Sequence, residues 1–364
     1  MGMADIFLPE KLELELHNNG LDVENFYARV LMYRAGQYPT NNLVSASPME
    51  AIVNFSDIKP ADEALGIETI KSAKVAFAII NGGMATRFGG EVKGIVEVLP
   101  DYSFIRVAVE KVKLLSRKYN VSVPIIFMNS VQTDQATKQH LEQNDYFGYG
   151  RERFQFFSQS SAPRLNRSGS YHHGTDGYFE QASTGHGDFF TAIRTSGTLD
   201  WLKSQGIENI LIANVDNLGV EINPKSLGYF KSLKSDMLCE VVEKRPEEIG
   251  GVPVMVEGRP RIAEWFTLPY NMQFEDLKHI NTNNIWVDLK RLYRPLPLHW
   301  YAVEKIVKGD PIIQFERLVA QYSWYCDCTI LQVPQSHFIP AKTKQQIVEN
   351  GGFYKDIIAE FGSF

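Results

Sequence analysis

The residues with the clearest chemical potential lie in the segment 80–98, INGGMATRFGGEVKGIVEV. A buried apolar run ends at Gly82-Gly83, and the bases Arg87 and Lys93 follow in the same segment. Glycines let a backbone approach an anionic ligand and point N–H groups at it, and the two bases add positive charge. The segment has neither the P-loop spacing nor the pattern GxGxxG. It predicts a phosphate-binding loop, with an exposed glycine turn as the alternative.

A single carboxylate, Asp216, follows the apolar run ILIANV (210–215) and stands between Asn214 and Asn217. Ligands of open α/β sheets bind at the carboxyl ends of the strands. Mg²⁺ takes few protein ligands together with substrate phosphates, so a lone carboxylate at that place suits it. The segment therefore predicts a magnesium site. A turn or helix cap is the alternative, because Asp and Asn also favour such positions.

A third segment, TGHGDFFTAIRTSG (184–197), places His186 between two glycines. A histidine held in such a loop can contact a ligand, and a structural or surface histidine is the alternative. Asp188 is expected to cap the helix that follows, because Asp favours the N-cap position.

Apolar runs and helical spacing predict the elements that would position these residues. Buried strands are expected where apolar runs occur, and helices where apolar residues recur on one face, as Phe104, Ala108, Val112 and Leu115 do. The strands are predicted at 75–80, 124–128, 210–215, 237–243, 252–256, 284–289 and 329–333, and the helices at 25–33, 104–119 and 188–203. The segment 160–185 is predicted to be a long loop. Alternating strands and helices predict an α/β fold with a mostly parallel sheet covered on both faces.

Composition excludes several classes of protein. The chain has 364 residues and a net charge of -6, without the basic excess of nucleic-acid-binding proteins. The N-terminus has no signal-peptide pattern and no stretch has the length of a membrane span, so a cytoplasmic protein without a membrane partner is expected. Three cysteines without framework spacing fit a reducing compartment, and we expect them to be small buried hydrophobes rather than a metal site.

Six segments within residues 75–345 together resemble the UDP-sugar pyrophosphorylase family, most closely its UTP–glucose-1-phosphate uridylyltransferases. They follow the family order along the chain. They are the glycine loop 81–98, the MNS segment at 127–130, GHGD at 185–188, NVDNLG at 214–219, NTNNIWV at 281–287 and FIPAK at 338–342.

The resemblance implies a GT-A-like, Rossmann-related, three-layer α/β/α fold and a role for each matched residue. Asp216 would bind Mg²⁺. The catalytic residues would be the positively charged Arg87, Lys93 and Lys342, with Lys342 binding the phosphate of the sugar. The nucleotide would be held by Asn81, Gly82, Gly83, Met128, Gln159, Gly185, His186 and Asn214. The sugar would contact Gly251, Glu264, Asn281 and Asn283.

The glycine loop departs from the usual family pattern. It reads Gly83-Met84-Ala85-Thr86 where the family has GLGT, and it is shorter before Lys93, with one lysine in place of two. Arg87 instead resembles the TR of the related N-acetylhexosamine enzymes. The predicted organisation is a helical segment at 1–70, a catalytic domain at 71–290 and a segment at 291–364 that brings Lys342 to the site, without a long C-terminal β-helix.

The expected function is synthesis of UDP-glucose and pyrophosphate from UTP and glucose 1-phosphate with Mg²⁺, by a monomer or small homo-oligomer. Another UDP-sugar, including a UDP-N-acetylhexosamine, is the alternative within the same reaction. A GT-A glycosyltransferase is a second alternative, although such enzymes usually present two acids where this chain has Asn214-Val215-Asp216. A regulatory relative without catalysis is the third.

Overall fold

An eight-stranded sheet forms the centre of the computed structural model, which describes residues 6–37, 45–85 and 90–361. In chain order its strands are β1 (Val53–Asn54), β2 (Val75–Ile80), β3 (Ile125–Asn129), β4 (Phe154–Ser158), β5 (Asn209–Asn214), β6 (Met237–Glu243), β7 (His279–Asp288) and β8 (Cys328–Gln332). Their order across the sheet is β1-β8-β6-β7-β5-β2-β3-β4.

Only β7 runs against its two neighbours in this sheet, β6 and β5. The other neighbouring pairs are parallel. The predicted mostly parallel sheet is confirmed. Strand β7 begins at His279, five residues before the predicted strand at 284–289. It therefore carries the polar run Asn281–Asn284 inside the sheet.

Both faces of the sheet are covered, as predicted for three layers. Along β2 the residues Val75, Phe77 and Ile79 join one buried cluster, while Ala76, Ala78 and Ile80 join the other. Successive side chains of a strand point to opposite faces, so this division places a hydrophobic core on each side. The continuous apolar run that predicted β2 reflects this double burial.

Helices supply the outer layers. They are α1 (Glu10–Asn18), α2 (Val23–Arg34), α3 (Pro60–Lys71), α4 (Phe104–Tyr119), α5 (Asp134–Gln143), α6 (Phe189–Thr195), α7 (Thr198–Ser204), α8 (Pro224–Leu233), α9 (Lys344–Glu349) and α10 (Gly351–Phe361). Helix α4 matches its predicted bounds, and Ser103 caps it by accepting a hydrogen bond from the Arg106 N–H. No helix in the described ranges combines the length and apolar content that crossing a membrane requires.

The single helix predicted over 188–203 is wrong, because α6 and α7 replace it. Gly197 separates them with a φ of +76°, a left-handed conformation that glycine adopts without a steric penalty. Helical periodicity continues through the break, so spacing alone could not reveal it. Helix α6 begins at Phe189, directly after the loop that carries His186.

The long loop predicted over 160–185 is also wrong, because part of it pairs in small antiparallel sheets. Ser161–Pro163 pairs with Gln181–Ser183, and Leu165–Asn166 pairs with Asp310–Glu316. Further short pairings join Ser47–Pro48 to Gly251–Val256, Gly251–Val256 to Arg259–Glu264, Tyr301–Val307 to Asp310–Glu316, Met84–Ala85 to Glu91–Val92 and Glu97–Leu99 to Tyr102–Ser103.

Helices α3 and α8 approach each other through two glycines. A Cβ on Gly66 would come within 1.9 Å of the Pro224 carbonyl oxygen, and one on Gly228 within 1.6 Å of the Asp62 oxygen. Neither residue can carry a side chain unless the helices move apart. Helix α8 follows the loop that carries Asp216 in the chain.

We expect Gly228→Ala to lower the free energy of unfolding by about 3 kcal/mol, because overpacking a close contact forces backbone shifts. Urea denaturation followed by circular dichroism measures the loss. Gly352→Ala in α10 is the control, since no described residue outside its own helical turn would lie within 4 Å of a Cβ at this position. Equal stability of the two variants would contradict the proposed close contact.

Candidate active site

The carboxyl ends of β2 and β5 lie side by side at one edge of the sheet. Asn214 is paired with Ile80 in the parallel register, so the loops that follow start next to each other. Strand β7 brings Asn283 to the same place, where its Nδ2 donates to Asn214 Oδ1 at 3.0 Å. Asn283 has a φ of +62°, a left-handed conformation that asparagine tolerates. Two of the predicted site residues therefore touch across the sheet.

Lys93 and Asp216 form an ion pair at this edge. Their side chains are 19% and 8% exposed, so water screens the pair little. The short hairpin Met84–Ala85/Glu91–Val92 returns the chain from the glycine loop, and the Lys93 N–H donates to the Gly83 carbonyl. Arg87 lies outside the described residues. The structure thus joins one predicted phosphate-binding base to the predicted metal ligand.

Asn217 was not predicted as a site residue, yet it connects three segments. Its Nδ2 donates to Asn284 Oδ1 at 3.0 Å and to the His337 carbonyl at 2.9 Å. Its Oδ1 accepts the N–H groups of Gly219 and Ile339. The NVDNLG pattern contained this residue, but no local signal indicates how many partners it has.

The segment carrying Lys342 is fixed to the Asp216 loop by its main chain. The Ala341 N–H donates to the Asp216 carbonyl at 3.2 Å, and the Lys342 N–H donates to Gln346 Oε1 at 2.6 Å. Lys342 itself is exposed. Its side chain is therefore available to an anionic ligand next to Asp216.

A partly buried lysine contacts the main chain of the Asp216 loop. Lys111 of α4 donates to the carbonyl oxygens of Leu218 and Val220 at 2.6 and 2.9 Å. Burial lowers the pKa of Lys111 to about 8. This contact was also missed by sequence reasoning, because it joins residues that are far apart in the chain.

Gly82 and Gln159 meet where the nucleotide is expected. A Cβ on Gly82 would lie 1.8 Å from Gln159 Nε2, so any other residue at this position would force the Gln159 side chain to move. Gln159 is buried, and its Oε1 has no hydrogen-bond partner among the described residues. An unpartnered buried acceptor is costly, and a ligand donor would satisfy it. Gly83, in contrast, is exposed, and among the described residues no atom outside its chain neighbours would lie within 4 Å of a Cβ at this position.

The side chains of Asn81 and Met128 lie beneath the site, deeper than side chains that contact a ligand directly. The Asn81 Nδ2 donates to Asn129 Oδ1 and Thr137 Oγ1 at 3.0 and 2.8 Å. Both Asn81 and Met128 are fully buried, and Met128 belongs to a core cluster. These side chains support the floor beneath the loop.

The loop at 185–188 lies against the segment that follows strand residues Asp310–Glu316. A Cβ on Gly185 would be 2.4 Å from the Arg317 carbonyl oxygen, and one on Gly187 would be 2.5 Å from the Leu318 nitrogen. Asp188, expected to cap a helix, makes no side-chain cap. Its carboxylate instead pairs with Arg317 and accepts the Ser160 N–H at 2.6 Å. A buried acid with a cation available forms that pair rather than a cap.

His186 in this loop is held by the main chain of Val319, whose N–H donates to His186 Nδ1 at 3.0 Å. Burial, with Lys305 nearby, lowers the pKa of His186 to about 4. The imidazole is therefore neutral at physiological pH.

The predicted sugar residues Gly251 and Glu264 are paired in register in the small sheet. A Cβ on Gly251 would lie 3.2 Å from Glu264 Oε1. Burial raises the pKa of Glu264 to about 7. Asn281 accepts the Asn283 N–H through its Oδ1 at 3.3 Å, close to the hydrogen-bond limit. Gly251 and Glu264 thus form one unit, and Asn281 and Asn283 another on β7.

Asp216 belongs to no cluster of three or more potential metal-ligating side chains among the described residues. Within the described ranges, no group of three or more His, Cys, Asp or Glu side chains could hold a metal ion. One carboxylate plus phosphate oxygens fits the coordination that Mg²⁺ adopts with nucleotides.

Cys239 and Cys328 are buried, as expected for small hydrophobes, and Cys326 is partly buried.

Comparison with known proteins identifies the family. The family model described as UTP–glucose-1-phosphate uridylyltransferase matches residues 23–350. The chain belongs to the UTP–glucose-1-phosphate uridylyltransferase family. A Dictyostelium discoideum protein named UTP–glucose-1-phosphate uridylyltransferase 2 is 29% identical over 84% of this chain and 63% of its own length. A Musa acuminata uridylyltransferase is 30% identical over 82% of this chain and 67% of its own. The chain thus spans about two thirds of these relatives.

Solved structures share the fold of this uridylyltransferase-family chain. A UDP-glucose phosphorylase from Trypanosoma brucei aligns with a TM-score of 0.78 and 23% identity, covering 92% of this chain and 76% of that one. A putative UDP-N-acetylglucosamine pyrophosphorylase from Entamoeba histolytica aligns with a TM-score of 0.73 and 21% identity, covering 85% and 88%. The fold is therefore common to enzymes named for different sugars.

One buried ion pair of this uridylyltransferase-family chain supports the Asn217 network. Glu240 on β6 accepts from Asn284 Nδ2 at 3.1 Å and Trp286 Nε1 at 3.3 Å. His337 Nδ1 lies 3.6 Å from Glu240 Oε2, longer than a hydrogen bond, so the contact is an ion pair. Burial lowers the pKa of His337, but the nearby Glu240 carboxylate raises it more, so that the net shift is upward. Burial alone would raise the pKa of Glu240, but His337 leaves it lowered.

These shifts predict a pH-dependent stability. The raised pKa of His337 stabilises the fold fully below pH 6.5, and this contribution is lost as pH rises through the raised value. The lowered pKa of Glu240 gives stability above pH 4.5 that is lost on acidification. Glu240→Gln should therefore lower the melting temperature most near about pH 6, and the difference should narrow at alkaline pH.

Thermal unfolding of wild type and variant across that range measures the effect. Glu304→Gln is the control, because Glu304 forms an exposed pair with Arg167 and such pairs contribute little. A difference between Glu240→Gln and wild type that stays constant with pH would contradict the ion pair.

Proposed function

We propose that the protein transfers the uridylyl group of UTP to glucose 1-phosphate, forming UDP-glucose and pyrophosphate. The observation that carries the proposal is the convergence of Lys93, Asp216 and the Lys342 segment at the carboxyl ends of β2 and β5. Two cations beside one buried carboxylate suit two phosphate-bearing substrates. Membership of the family supplies the reaction type.

The transfer breaks one phosphoanhydride bond and forms another. A phosphate oxygen of glucose 1-phosphate attacks the α-phosphorus of UTP in line, and the bond from that phosphorus to the β-phosphate oxygen breaks. Pyrophosphate leaves with the bonding electrons. The attacking oxygen is already anionic, so no general base is needed. Positioning and charge stabilisation supply the rate enhancement.

Each cationic residue has a distinct role in this scheme. Lys93, and Arg87 with it, would stabilise the charge that develops on pyrophosphate. Lys342, exposed beside the Asp216 loop, would hold the phosphate of the incoming sugar. The unpartnered Oε1 of Gln159, next to Gly82, would accept a hydrogen bond from the nucleobase of UTP. A uracil N3–H is such a donor.

Asp216 would be the protein ligand of a magnesium ion, with phosphate oxygens completing the coordination. When bound, the ion offsets the repulsion between nucleotide and sugar phosphates. Lys93 now neutralises the Asp216 carboxylate. A nucleotide phosphate that attracts Lys93 would free Asp216 for the cation.

The sugar would be recognised by Gly251, Glu264, Asn281 and Asn283. Glu264, with its pKa raised to about 7, can donate or accept a hydrogen bond near neutral pH. Glucose is favoured because the family is named for it. A UDP-N-acetylhexosamine product is the second candidate, supported by the loop residues Thr86-Arg87 and their resemblance to that subgroup.

We expect pyrophosphate release with UTP, Mg²⁺ and glucose 1-phosphate in a coupled assay. The panel also contains galactose 1-phosphate, N-acetylglucosamine 1-phosphate and the other three nucleoside triphosphates. Release with another sugar alone would retain the mechanism and replace the substrate. If no substrate pair releases pyrophosphate although calorimetry shows UTP binding, the enzymatic function would be rejected in favour of a regulatory relative. Hydrolysis or transfer from UDP-glucose without pyrophosphate would indicate a glycosyltransferase.

Lys93→Met should lower kcat by about 100-fold or more, because a charge that stabilises the transition state is lost. The change also leaves the buried Asp216 unpaired, so some stability is lost. The double variant Lys93→Met/Asp216→Asn should regain that stability and remain inactive. Lys118→Met, at an exposed position in the last turn of α4, is the matched control. Wild-type kcat in Lys93→Met would reject this role.

A further inference from the structure

The segment Arg317–Val319 forms a second wall against the loop that carries His186. The Gly187 N–H donates to the Arg317 carbonyl at 2.8 Å, and the Arg317 N–H donates to the Thr184 carbonyl at 2.8 Å. Two main-chain hydrogen bonds thus join the segments before any side chain is considered. The sequence patterns that predicted the site do not include this segment.

Side chains tighten the same contact. The Arg317 guanidinium pairs with the fully buried Asp188 and lies 4.2 Å from the centre of the Trp300 ring. Asp188 also accepts from Ser160 Oγ at 2.6 Å. The loop cannot shift away from Arg317 without leaving a buried carboxylate unpaired, which is costly.

One contact in this interface determines the chemical state of His186. Its Nδ1 accepts the Val319 N–H at 3.0 Å, so Nδ1 carries no proton. A neutral imidazole with an accepting Nδ1 has its hydrogen on Nε2 and donates from there. For His186 Nε2, no hydrogen-bond partner is found in the described part of the chain. This donor is therefore available to a ligand.

The electrostatic surroundings keep the ring neutral. Burial opposes a positive charge, and the Lys305 ammonium opposes it further. Protonation of Nδ1 would also turn it into a donor facing the Val319 donor. These effects act in the same direction.

We propose that the Val319 main-chain N–H is a positioning group that holds His186 as the Nε2–H tautomer, so that His186 donates a hydrogen bond to an oxygen of the bound nucleotide or sugar phosphate. The inference rests on the proposed function for the identity of the acceptor. It assigns Val319 to positioning and gives His186 a donor role without proton transfer. A fixed neutral donor suits a reaction in which an anionic oxygen is the nucleophile and no proton moves.

Val319→Pro removes the N–H with little disturbance of the helix. Val319 is the first residue of the 3₁₀ helix Val319–Trp324, a position at which an N–H has no intrahelical partner and proline is favoured. Leu318 has φ −122° and ψ 139°, the extended conformation required before proline. The proline Cδ takes the place of the amide hydrogen, so the imidazole loses both its partner and its position. Val319→Ala is the matched control, because it shortens the same buried side chain and keeps the N–H.

The tautomer is read directly by NMR of protein labelled with ¹⁵N at histidine, assigned with His186→Gln. Wild type and Val319→Ala should show a pyridine-type Nδ1 and a pyrrole-type Nε2 for His186, without titration between about pH 5 and 8. Val319→Pro should show an averaged or reversed pair of shifts and a pKa nearer the ordinary value of histidine. A wild-type His186 with its proton on Nδ1, or one that titrates in that range, would overturn the inference even if the proline variant fails to fold.

Kinetics test the consequence for catalysis. Loss of one hydrogen bond to a charged oxygen should lower kcat/KM in Val319→Pro by about 10-fold or more relative to Val319→Ala. His186→Gln retains a hydrogen-bond donor. The pH profile of kcat/KM from about pH 6 to 8 should therefore be the same in this variant as in wild type. Equal kcat/KM in the proline and alanine variants would reject the positioning role. Correct tautomers with no pyrophosphate release from any substrate pair would confirm the geometry and reject the proposed function and donor role.

Discussion

The amide of Asn217 is the interaction on which the arrangement of the site depends. It makes two donor and two acceptor contacts, which join the loop after β5, the antiparallel β7 and the segment 337–339. Asp216 precedes it and Lys342 follows the third segment. The proposed metal ligand and the proposed phosphate-binding lysine, which are distant in the chain, are therefore held in one frame. An amide can do this because it both donates and accepts, which a carboxylate or an ammonium group alone cannot.

Acids around the site show how the fold compensates buried negative charge. Asp216 is paired with Lys93, Asp188 with Arg317 and Glu240 with His337. Each pair also connects segments far apart in the chain, so each contributes to positioning as well as to charge balance. Glu264 differs, because no ion-pair partner for it occurs in the described residues and its pKa is raised to about 7. A carboxyl group near its titration point suits the proposed role of hydrogen bonding to the hydroxyl groups of a sugar.

The site is built from two walls with different mechanical origins. One wall consists of the strand-end loops that carry Gly82, Asn214 and Asp216, fixed by the parallel register of β2 and β5. The other is the loop around His186, fixed by its contact with Arg317–Val319. The first follows from sheet geometry and the second from packing of irregular backbone. Sequence motifs mark both walls, while the contacts that orient them come from residues outside the motifs.

The sequence by itself determined most strands of the central sheet, though not β1 or β4, together with helices α2 and α4 and the identities of the chemically capable residues. Apolar runs determined β2 and β6, and helical spacing determined α4, because burial of each element imposes a periodicity that is local in the chain. The tertiary structure decided the break at Gly197, the extension of β7 through the polar run Asn281–Asn284 and the pairings within 160–185. It also decided that Lys93 pairs with Asp216, that Asp188 pairs with Arg317 rather than capping a helix, and that Val319 holds His186. These contacts join residues tens to more than a hundred positions apart, and a local pattern holds no information about which distant partner will satisfy a buried charge or hydrogen-bonding group.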